Sequence, residues 1–370
     1  MLANPLALIA EVTHRCPLHC AYCSNPLELV AADTELTTEE WRRVFAEAAK
    51  LGVLHVHLTG GEPLARKDLE ELIAAAHGTG LYTNLITSGL GLPRERLARL
   101  VQAGLDHLQL SFQEADTERA DGIAGARAHA HKVQLASWIR EYRIAFTANL
   151  VVHRQNLDRL EEMIRFLESL GPGRMEIAHT QYYGWALENR LALMPTTEQL
   201  EKALRVVAEA ETRLKGQIRI DSVLPDYHAK FPKACMGGWG RRMILITPAG
   251  EAWPCHAAGV IPGLVFENVR SKSLLQIWSE SEAFEKFRGE SWMQEPCRSC
   301  ERRTEDFGGC RCQALLLAGN AAATDPACSL APAHDVVLEA IRQSPTNVVR
   351  TSSLTEAWKY RPNPGRTTVP

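Results

Sequence analysis

The sequence predicts an α/β fold: six βα units in succession, giving a parallel sheet under covering helices, and then a small cysteine-rich region. Two observations carry that expectation. Up to about residue 215, short β-rich runs alternate with stretches of helical period. The ten cysteines are split, three before residue 24 and seven from 235 to 328, with none between. A chain of 370 residues is long enough for about two domains with a substantial core, and its 45% hydrophobic and 23% charged residues are ordinary for a globular protein.

Strands are expected at Leu6–Glu11, Val53–Thr59, Leu81–Thr87, His107–Phe112, Ile144–Val152 and Met175–Ala178. Helices are expected at Thr38–Leu51, Lys67–His77, Pro93–Ala103, Ala124–Glu141, Asn156–Leu170 and Thr196–Lys215. Thr37 and Asn156 stand where N-caps belong, and Gly52, Gly104 and Gly171 where C-caps belong. Residues 1–215 thus read as the first domain, 216–232 as a linker, 233–340 as a second domain and 341–370 as a mobile tail rich in Pro, Ser, Thr and Arg. In the second domain Met243–Ile246 and Glu251–Trp253 flank Pro248-Ala249-Gly250 as a hairpin, and Leu274–Arg288 reads as a helix.

A net charge of −3 with mixed signs argues against a broad phosphate-binding surface, so no nucleic acid partner is expected. No apolar run is long enough to span a bilayer, and Pro5–Ala10 is too short, and lacks the basic flank, for a signal peptide. A cytoplasmic protein is expected. In that reducing compartment ten cysteines need a purpose other than disulfides, and metal binding is the leading one.

The first three cysteines lie in Cys16-Pro17-Leu18-His19-Cys20-Ala21-Tyr22-Cys23, directly after the first strand, on the side where parallel α/β sheets carry their chemistry. Three thiolates hold three corners of a four-iron cluster, and the fourth iron is left open to a small molecule. The competing reading places Cys16, Cys20 and Cys23 on one buried helix face, at i, i+4 and i+7. Gly60-Gly61-Glu62-Pro63 follows the second strand. Its glycines let backbone approach a ligand, and Glu62 with strand-edge carbonyls accepts hydrogen bonds from an ammonium group. A plain β-to-α turn is the alternative.

The first of these stretches resembles the CxxxCxxC loop of radical S-adenosylmethionine (SAM) enzymes, with Tyr22 at the aromatic position of that family, and Gly60–Pro63 resembles the family's GGEP motif. The resemblance implies a partial (β/α)6 barrel of the TIM type, a catalytic [4Fe-4S] cluster on Cys16, Cys20 and Cys23, and SAM held with its amino group at Gly60, Gly61 and Glu62. Ser111, Gln113 and Asn149 resemble family positions that contact the SAM ribose and carboxylate, though each is also explained as a polar residue satisfying turn backbone. Asn84, Thr87 and Ser88 are comparable candidates at the third strand. His55 and His57 read as structural, and His153 with Arg154 sits at a strand end. Gln181-Tyr182-Tyr183-Gly184-Trp185-Ala186-Leu187-Glu188-Asn189-Arg190 has aromatics too clustered for one helical stripe. It suits either a peptide-receiving rim, with Glu188 or Arg190 pairing to peptide charges, or a packed bridge to the second domain.

The later cysteines resemble the SPASM domain of radical SAM peptide-modifying enzymes, which houses two auxiliary iron–sulfur clusters. Assigned by that resemblance, Cys235, Cys255, Cys310 and Cys312 form one ligand set and Cys297, Cys300, Asp306 and Cys328 the other, [4Fe-4S] and [2Fe-2S] or [4Fe-4S] in type. Asp306 stands where the usual pattern has a cysteine, and a carboxylate, as a harder ligand, changes the potential of the cluster it holds. Structural zinc on the CxxC knuckle is the competing reading.

The resemblance extends to one subfamily, the peptide cyclases of pyrroloquinoline quinone (PQQ) biosynthesis. It is carried by Thr13–Leu27, by the aromatic stretch, by Ala234-Cys235-Met236-Gly237-Gly238-Trp239 and by Asp306. It implies an oxidoreductase that joins a glutamate to a tyrosine side chain of the precursor peptide PqqA by a carbon–carbon bond. A 5′-deoxyadenosyl radical starts that reaction and the auxiliary clusters take up an electron at its end. The implied partners are PqqA, the small chaperone PqqD and an electron donor. A different SPASM maturase, forming a thioether or an oxidised residue, and a zinc-stabilised binding scaffold are the other readings.

Overall fold

A computed structural model describes residues 2–343 and 358–360 of the chain. The strands are Ala7–Thr13 (β1), His55–Gly60 (β2), Tyr82–Thr87 (β3), His107–Phe112 (β4), Ala145–Val152 (β5), Arg174–His179 (β6), Arg219–Val223 (β7), Met243–Ile246 (β8) and Ala252–Trp253 (β9). They make one sheet in the order β7-β6-β5-β4-β3-β2-β1-β8-β9, and every pair is parallel except the hairpin β8-β9. The first six run in chain order with helices between them, as the alternation in the sequence predicts.

Side-chain alternation gives the sheet two different faces. Toward the helices, Leu8, Ala10 and Val12 of β1 and Leu108, Leu110 and Phe112 of β4 are buried in one large apolar core with Trp41 and Phe45 of the helix Thr38–Lys50. The other face is polar and internally paired: His57 Nδ1 lies 3.0 Å from Asn84 Nδ2, His107 Nε2 lies 2.8 Å from Thr147 Oγ1, and Gln109 Nε2 donates to Glu176 Oε2 at 2.8 Å. The polar lining continues up the strands to their C-terminal ends, where the pleat delivers side chains to the mouth of the barrel.

Thr37 caps its helix through a reciprocal pair with Glu40, and Thr196 does the same with Gln199 at the start of Thr197–Arg213. Asn156 stands at the N-cap position of the 3-10 turn Leu157–Arg159, but its side chain does not cap it. Its amide accepts from His153 N–H and donates to the carbonyls of Gln113 and Val151, tying the ends of β4 and β5 together. The helix expected over Ala124–Glu141 starts later, at His129; Ala124 instead ends a separate helix, Thr117–Ala124, which Gly125 closes with a φ of 64° in the left-handed region. The helix expected over Leu274–Arg288 is broken at Ser281 into Leu274–Glu280 and Glu282–Glu285.

Three features differ from the expected domain plan. The linker 216–232 contains β7, a seventh strand at the edge of the parallel sheet, whose alternating Arg219 and Asp221 side chains suit that edge. The hairpin of the second domain pairs through β8 with β1, so the cysteine-rich region shares the sheet of the first domain. The expected tail begins later than 341: the helix Asp335–Gln343 crosses that point, and Trp358, Lys359 and Tyr360 are docked on the barrel. The remaining tail positions, 344–357 and 361–370, lie outside the described residues. Among the described residues no helix is long and apolar enough to cross a membrane.

Candidate active site

A cavity of about 350 Å³ opens at the C-terminal ends of the strands. Cys16, Cys20, Tyr22 and Cys23 line it from the loop after β1, and Gly60, Gly61 and Glu62 from the turn after β2. Thr87 and Ser88 at the end of β3, Ser111 and Gln113 at the end of β4 and Gln181 after β6 complete the named wall. Asn149 is not part of it. It lies buried on β5 opposite Ser111 in the ladder, and Asn84 is held by His57 one layer below the cavity floor.

The cysteine loop is irregular, not helical, so the buried-helix-face reading of Cys16, Cys20 and Cys23 fails. It is pinned from several sides. Cys23 N–H donates to Cys20 O at 3.0 Å, His19 N–H to Ala124 O at 3.1 Å, and Asn189 Nδ2 to Ala21 O at 2.9 Å. The Cys20 thiol is pushed up to about 12, first by burial and then by the neighbouring Cys23 and Cys16 thiols. A buried thiol that resists ionising beside two others is part of a donor set that suits positive charge, and a coordinating metal centre removes a ligating thiol's proton outright. The donors therefore suit an iron–sulfur cluster. Among the described residues no three His, Cys, Asp or Glu side chains are arranged as ligands of one isolated metal ion; what the loop presents is soft thiol chemistry, which in a cluster is spread over different irons.

The glycines of the β2 turn have a reason the sequence reading did not supply. A Cβ on Gly60, whose φ is 132°, would sit 2.1 Å from Thr13 O, and one on Gly61 would sit 2.4 Å from His14 O. Gly61 N–H donates to Thr13 O at 2.7 Å and Glu62 N–H to Arg15 O at 2.8 Å. The close approach these glycines allow is that of the backbone leading into the cysteine loop. Glu62 is 2% exposed, and its carboxylate accepts from Leu64 N–H, Thr87 Oγ1, Ser88 N–H and Ser88 Oγ. Four donors fill a carboxylate's four acceptor sites. The acceptors the turn offers an ammonium group are its main-chain carbonyls, which Glu62 fixes in place.

Gln113 is similarly committed. Its Nε2 donates to Tyr22 Oη at 2.8 Å and its Oε1 accepts from Lys132 Nζ at 2.6 Å. Lys132, on His129–Glu141, is fully buried, and burial pulls its ammonium down to about 8. The sequence reading missed it. The available signal was a lysine on the apolar stripe formed with Leu135, Ala136 and Ile139.

The later cysteines gather into two groups. Cys235, Cys255, Cys310 and Cys312 form a ring of thiol contacts, with Cys255 Sγ 3.8 Å from Cys312 Sγ. Cys255 and Cys310 shift down as acceptors of their neighbours' S–H groups, and Cys235 and Cys312 shift up as the donors. Cys297, Cys300, Asp306 and Cys328 line a second, small cavity. Asp306 Oδ1 accepts from Gly308 N–H at 2.9 Å, and burial raises its pKa. Between the groups, buried Arg311 donates to the carbonyls of Ala321 and Ala323 at 2.9 and 2.7 Å, and buried Asp325 accepts from Cys310 N–H at 2.7 Å and Gln313 Nε2 at 2.8 Å. Neither residue was singled out in the sequence, where nothing but burial distinguishes them.

The aromatic stretch is the packed bridge. Tyr182 is buried against Tyr227, with ring centroids 5.2 Å apart, Ala186 N–H donates to Cys23 O at 3.0 Å, and Arg190 Nη1 reaches Tyr227 Oη at 3.5 Å. Glu188 pairs with Lys359 at 2.9 Å.

Comparison with known proteins gives the following likenesses. Residues 10–167 match the model of the Radical SAM superfamily, and residues 235–301 match that of SPASM, an iron–sulfur cluster-binding domain. A protein of Methylobacterium nodulans named PqqA peptide cyclase is 56% identical over 334 residues, covering 90% of this chain and 88% of its own. One of the same name from Gluconobacter oxydans is 55% identical over 343 residues, covering 92% and 95%. Among solved structures, Streptococcus suis SuiB bound to the precursor peptide SuiA superposes with a TM-score of 0.74 at 20% identity, covering 89% of this chain and 77% of that one. The enzyme anSMEcpe with bound AdoMet and a peptide superposes with a TM-score of 0.65 at 15% identity, covering 92% and 97%. At such identities these two structures bear on the fold.

Proposed function

The chain belongs to the family of PqqA peptide cyclases, radical SAM enzymes that carry a SPASM domain, and from that premise we propose how its own residues do the work. It is an enzyme that uses SAM and iron–sulfur clusters and acts on a peptide, joining a glutamate and a tyrosine side chain of PqqA by a carbon–carbon bond in PQQ biosynthesis. The zinc-scaffold reading falls with the family assignment. The finer proposals are these: one catalytic [4Fe-4S] cluster on Cys16, Cys20 and Cys23; two auxiliary clusters on the two cysteine groups; PqqD and a separate electron donor as partners; and a cytoplasmic setting.

When bound, SAM and the catalytic cluster supply one-electron cleavage of a sulfonium bond and so a radical able to abstract hydrogen. The protein's part is to place and shield. The loop after β1 holds three thiolates toward the cavity while its backbone is clamped by the Gly60-Gly61 turn. Glu62, by gripping Thr87 and Ser88, fixes the carbonyls that receive the SAM amino group. Lys132 and Gln113 hold the Tyr22 phenol, and thereby the ring just before Cys23, in one orientation. Burial of the loop under Trp358 and Ile123 keeps water from its outer side. Radical addition to a tyrosine ring leaves one electron and one proton to be removed before aromaticity returns, and clusters held by the two later cysteine groups would supply an acceptor for that electron.

The observation that carries this reading is the convergence of Cys16, Cys20 and Cys23 with the Gly60–Glu62 turn on one cavity. The test is anaerobic incubation of the protein with PqqA, SAM, reductant and PqqD, followed by mass spectrometry. Crosslinking requires loss of two hydrogens from the peptide. Deoxyadenosine formed with no such loss would point to a different maturase.

A further inference from the structure

One stretch of chain, from Gln181 to Asn189, touches both the catalytic loop and the first auxiliary cysteine group. Gln181 lines the cavity, while Ala186 and Asn189 hydrogen-bond the carbonyls of Cys23 and Ala21. Tyr183 lies between these contacts and faces the other way. Its hydroxyl is 2.8 Å from Cys310 Sγ, and its ring packs on the apolar cluster that contains Cys255, Cys312 and Trp239.

The placement of Tyr183 is over-determined. Its carbonyl accepts from Leu187 N–H at 3.3 Å and its N–H donates to Gln181 O at 3.0 Å. The next residue, Gly184, has a φ of 50°, and a Cβ there would lie 2.0 Å from Asn25 O, so the turn that aims Tyr183 is pressed against the chain just beyond Cys23. The backbone that carries the phenol is therefore wedged against the catalytic loop, and the ring is packed into the apolar cluster beside Cys310.

We propose that Tyr183 is a positioning residue for the auxiliary group: its hydroxyl donates to the Cys310 thiolate and raises the reduction potential of the cluster that Cys310 helps to hold. The proposal rests on the assignment of Cys235, Cys255, Cys310 and Cys312 to one cluster. A ligating cysteine has no proton, so the phenol O–H is the donor in this pair. A hydrogen bond to a ligand sulfur draws negative charge away from the cluster and favours the form carrying one more electron. The main-chain N–H of Gln313 also points to Cys310 Sγ, at 3.5 Å, a longer contact and one no side-chain substitution removes. Tyr183 is thus the adjustable member of the pair. Because Gln181, two residues away, belongs to the wall of the cavity that holds Cys16, Cys20 and Cys23, a single segment touches both the catalytic cavity and the auxiliary group.

The test uses the full chain, anaerobically reconstituted, with the auxiliary signal followed by electron paramagnetic resonance through a redox titration. Tyr183→Phe, with iron content unchanged, is expected to lower the auxiliary midpoint potential while the Cys16-loop signal stays at its wild-type potential. An unshifted auxiliary potential in an iron-replete Tyr183→Phe protein would overturn the proposal. A difluorotyrosine placed at 183 is a stronger donor of nearly the same shape and is expected to shift the potential upward. That arm decides the matter if the Phe variant fails to retain iron, and no upward shift there sinks the idea. Cys310→Ala tests the underlying assignment separately: a variant that keeps all its iron and an unaltered auxiliary signal would remove Cys310 from the ligand set and the Tyr183 proposal with it.

Discussion

Glu62 takes two hydrogen bonds from Ser88 on one carboxylate oxygen, the main-chain N–H at 2.8 Å and the hydroxyl at 2.5 Å. The end of β3 is thereby locked to the turn after β2, in a pocket where the carboxylate is almost fully buried. Glu62→Gln puts an amide nitrogen where a donor already points. Hydrogen bonds to a charged group are worth about 2 kcal/mol, so the exchange is expected to weaken SAM binding by roughly tenfold or more. Equilibrium dialysis of SAM on the iron-replete variant measures it, and Ser88→Ala is expected to lose less, since the main-chain donor remains.

Gly60→Ala should act on the cysteine loop rather than on the sheet. The new methyl meets Thr13 O, a backbone atom that has no rotamer to move into, so the chain leading to Cys16 must shift. The variant is expected to bind iron at the auxiliary groups and to lack the share of iron held by the Cys16 loop. Iron analysis beside the Cys16→Ala variant reads this directly; iron equal to wild type would contradict it.

Three buried histidines give the fold an acid-side weakness. Burial lowers His153 to about 3 and both His57 and His179 to about 4, with neighbouring cationic groups adding to the effect. Below the ordinary histidine value of about 6.5, the unfolded chain takes up protons that the native state refuses. Stability therefore falls as pH drops from about 6.5 toward 4, and it is flat with respect to these groups above that window. Denaturant unfolding as a function of pH is expected to show the slope, and His57→Gln to reduce it. A slope unchanged in that variant would remove His57 from the account.

Trp358 is 7% exposed and packs against Ala21 and Ile123, with His153 at 6.0 Å between it and Tyr22. Lys359 is fastened beside it by both of its main-chain groups, which pair with the Asn189 amide at 2.8 Å each. Trp358→Ala is expected to speed the release of iron from the Cys16 loop to a chelator several-fold, with the auxiliary iron released at the wild-type rate. Asn189→Ala should do the same, because Asn189 holds Ala21 as well as Lys359.

Much of this was legible in the chain. Alternating β and helical periods gave six parallel strands in order, and the spacing of Cys16, Cys20 and Cys23 with the Gly60–Pro63 turn located the cavity. What escaped has physical reasons. Period cannot place the start of the helix at His129 when no side chain caps it and small apolar residues precede it. The strand Arg219–Val223 carries charges at alternate positions because it forms a sheet edge, and so it reads as linker. Lys132 looks like a solvated helix charge until the fold turns it inward, and Glu62 and Gln113 look like ligand contacts until their protein donors are counted.

The pairing of β8 with β1 has a bearing on how the molecule is made. Ala7 lies beside Met243 and Ala10 beside Ile246, so β1 lacks one of its two neighbours until some 230 further residues have been synthesised. Through that interval β1 presents an open hydrogen-bonding edge next to the cysteine loop, the condition under which strands find wrong partners. Closure across so long a loop is slow by topology alone. A chain cut before residue 243 is therefore expected to aggregate rather than persist as an isolated barrel, and supplying the second region as a separate polypeptide asks it to add a strand to the open edge at β1 rather than to dock against a finished surface.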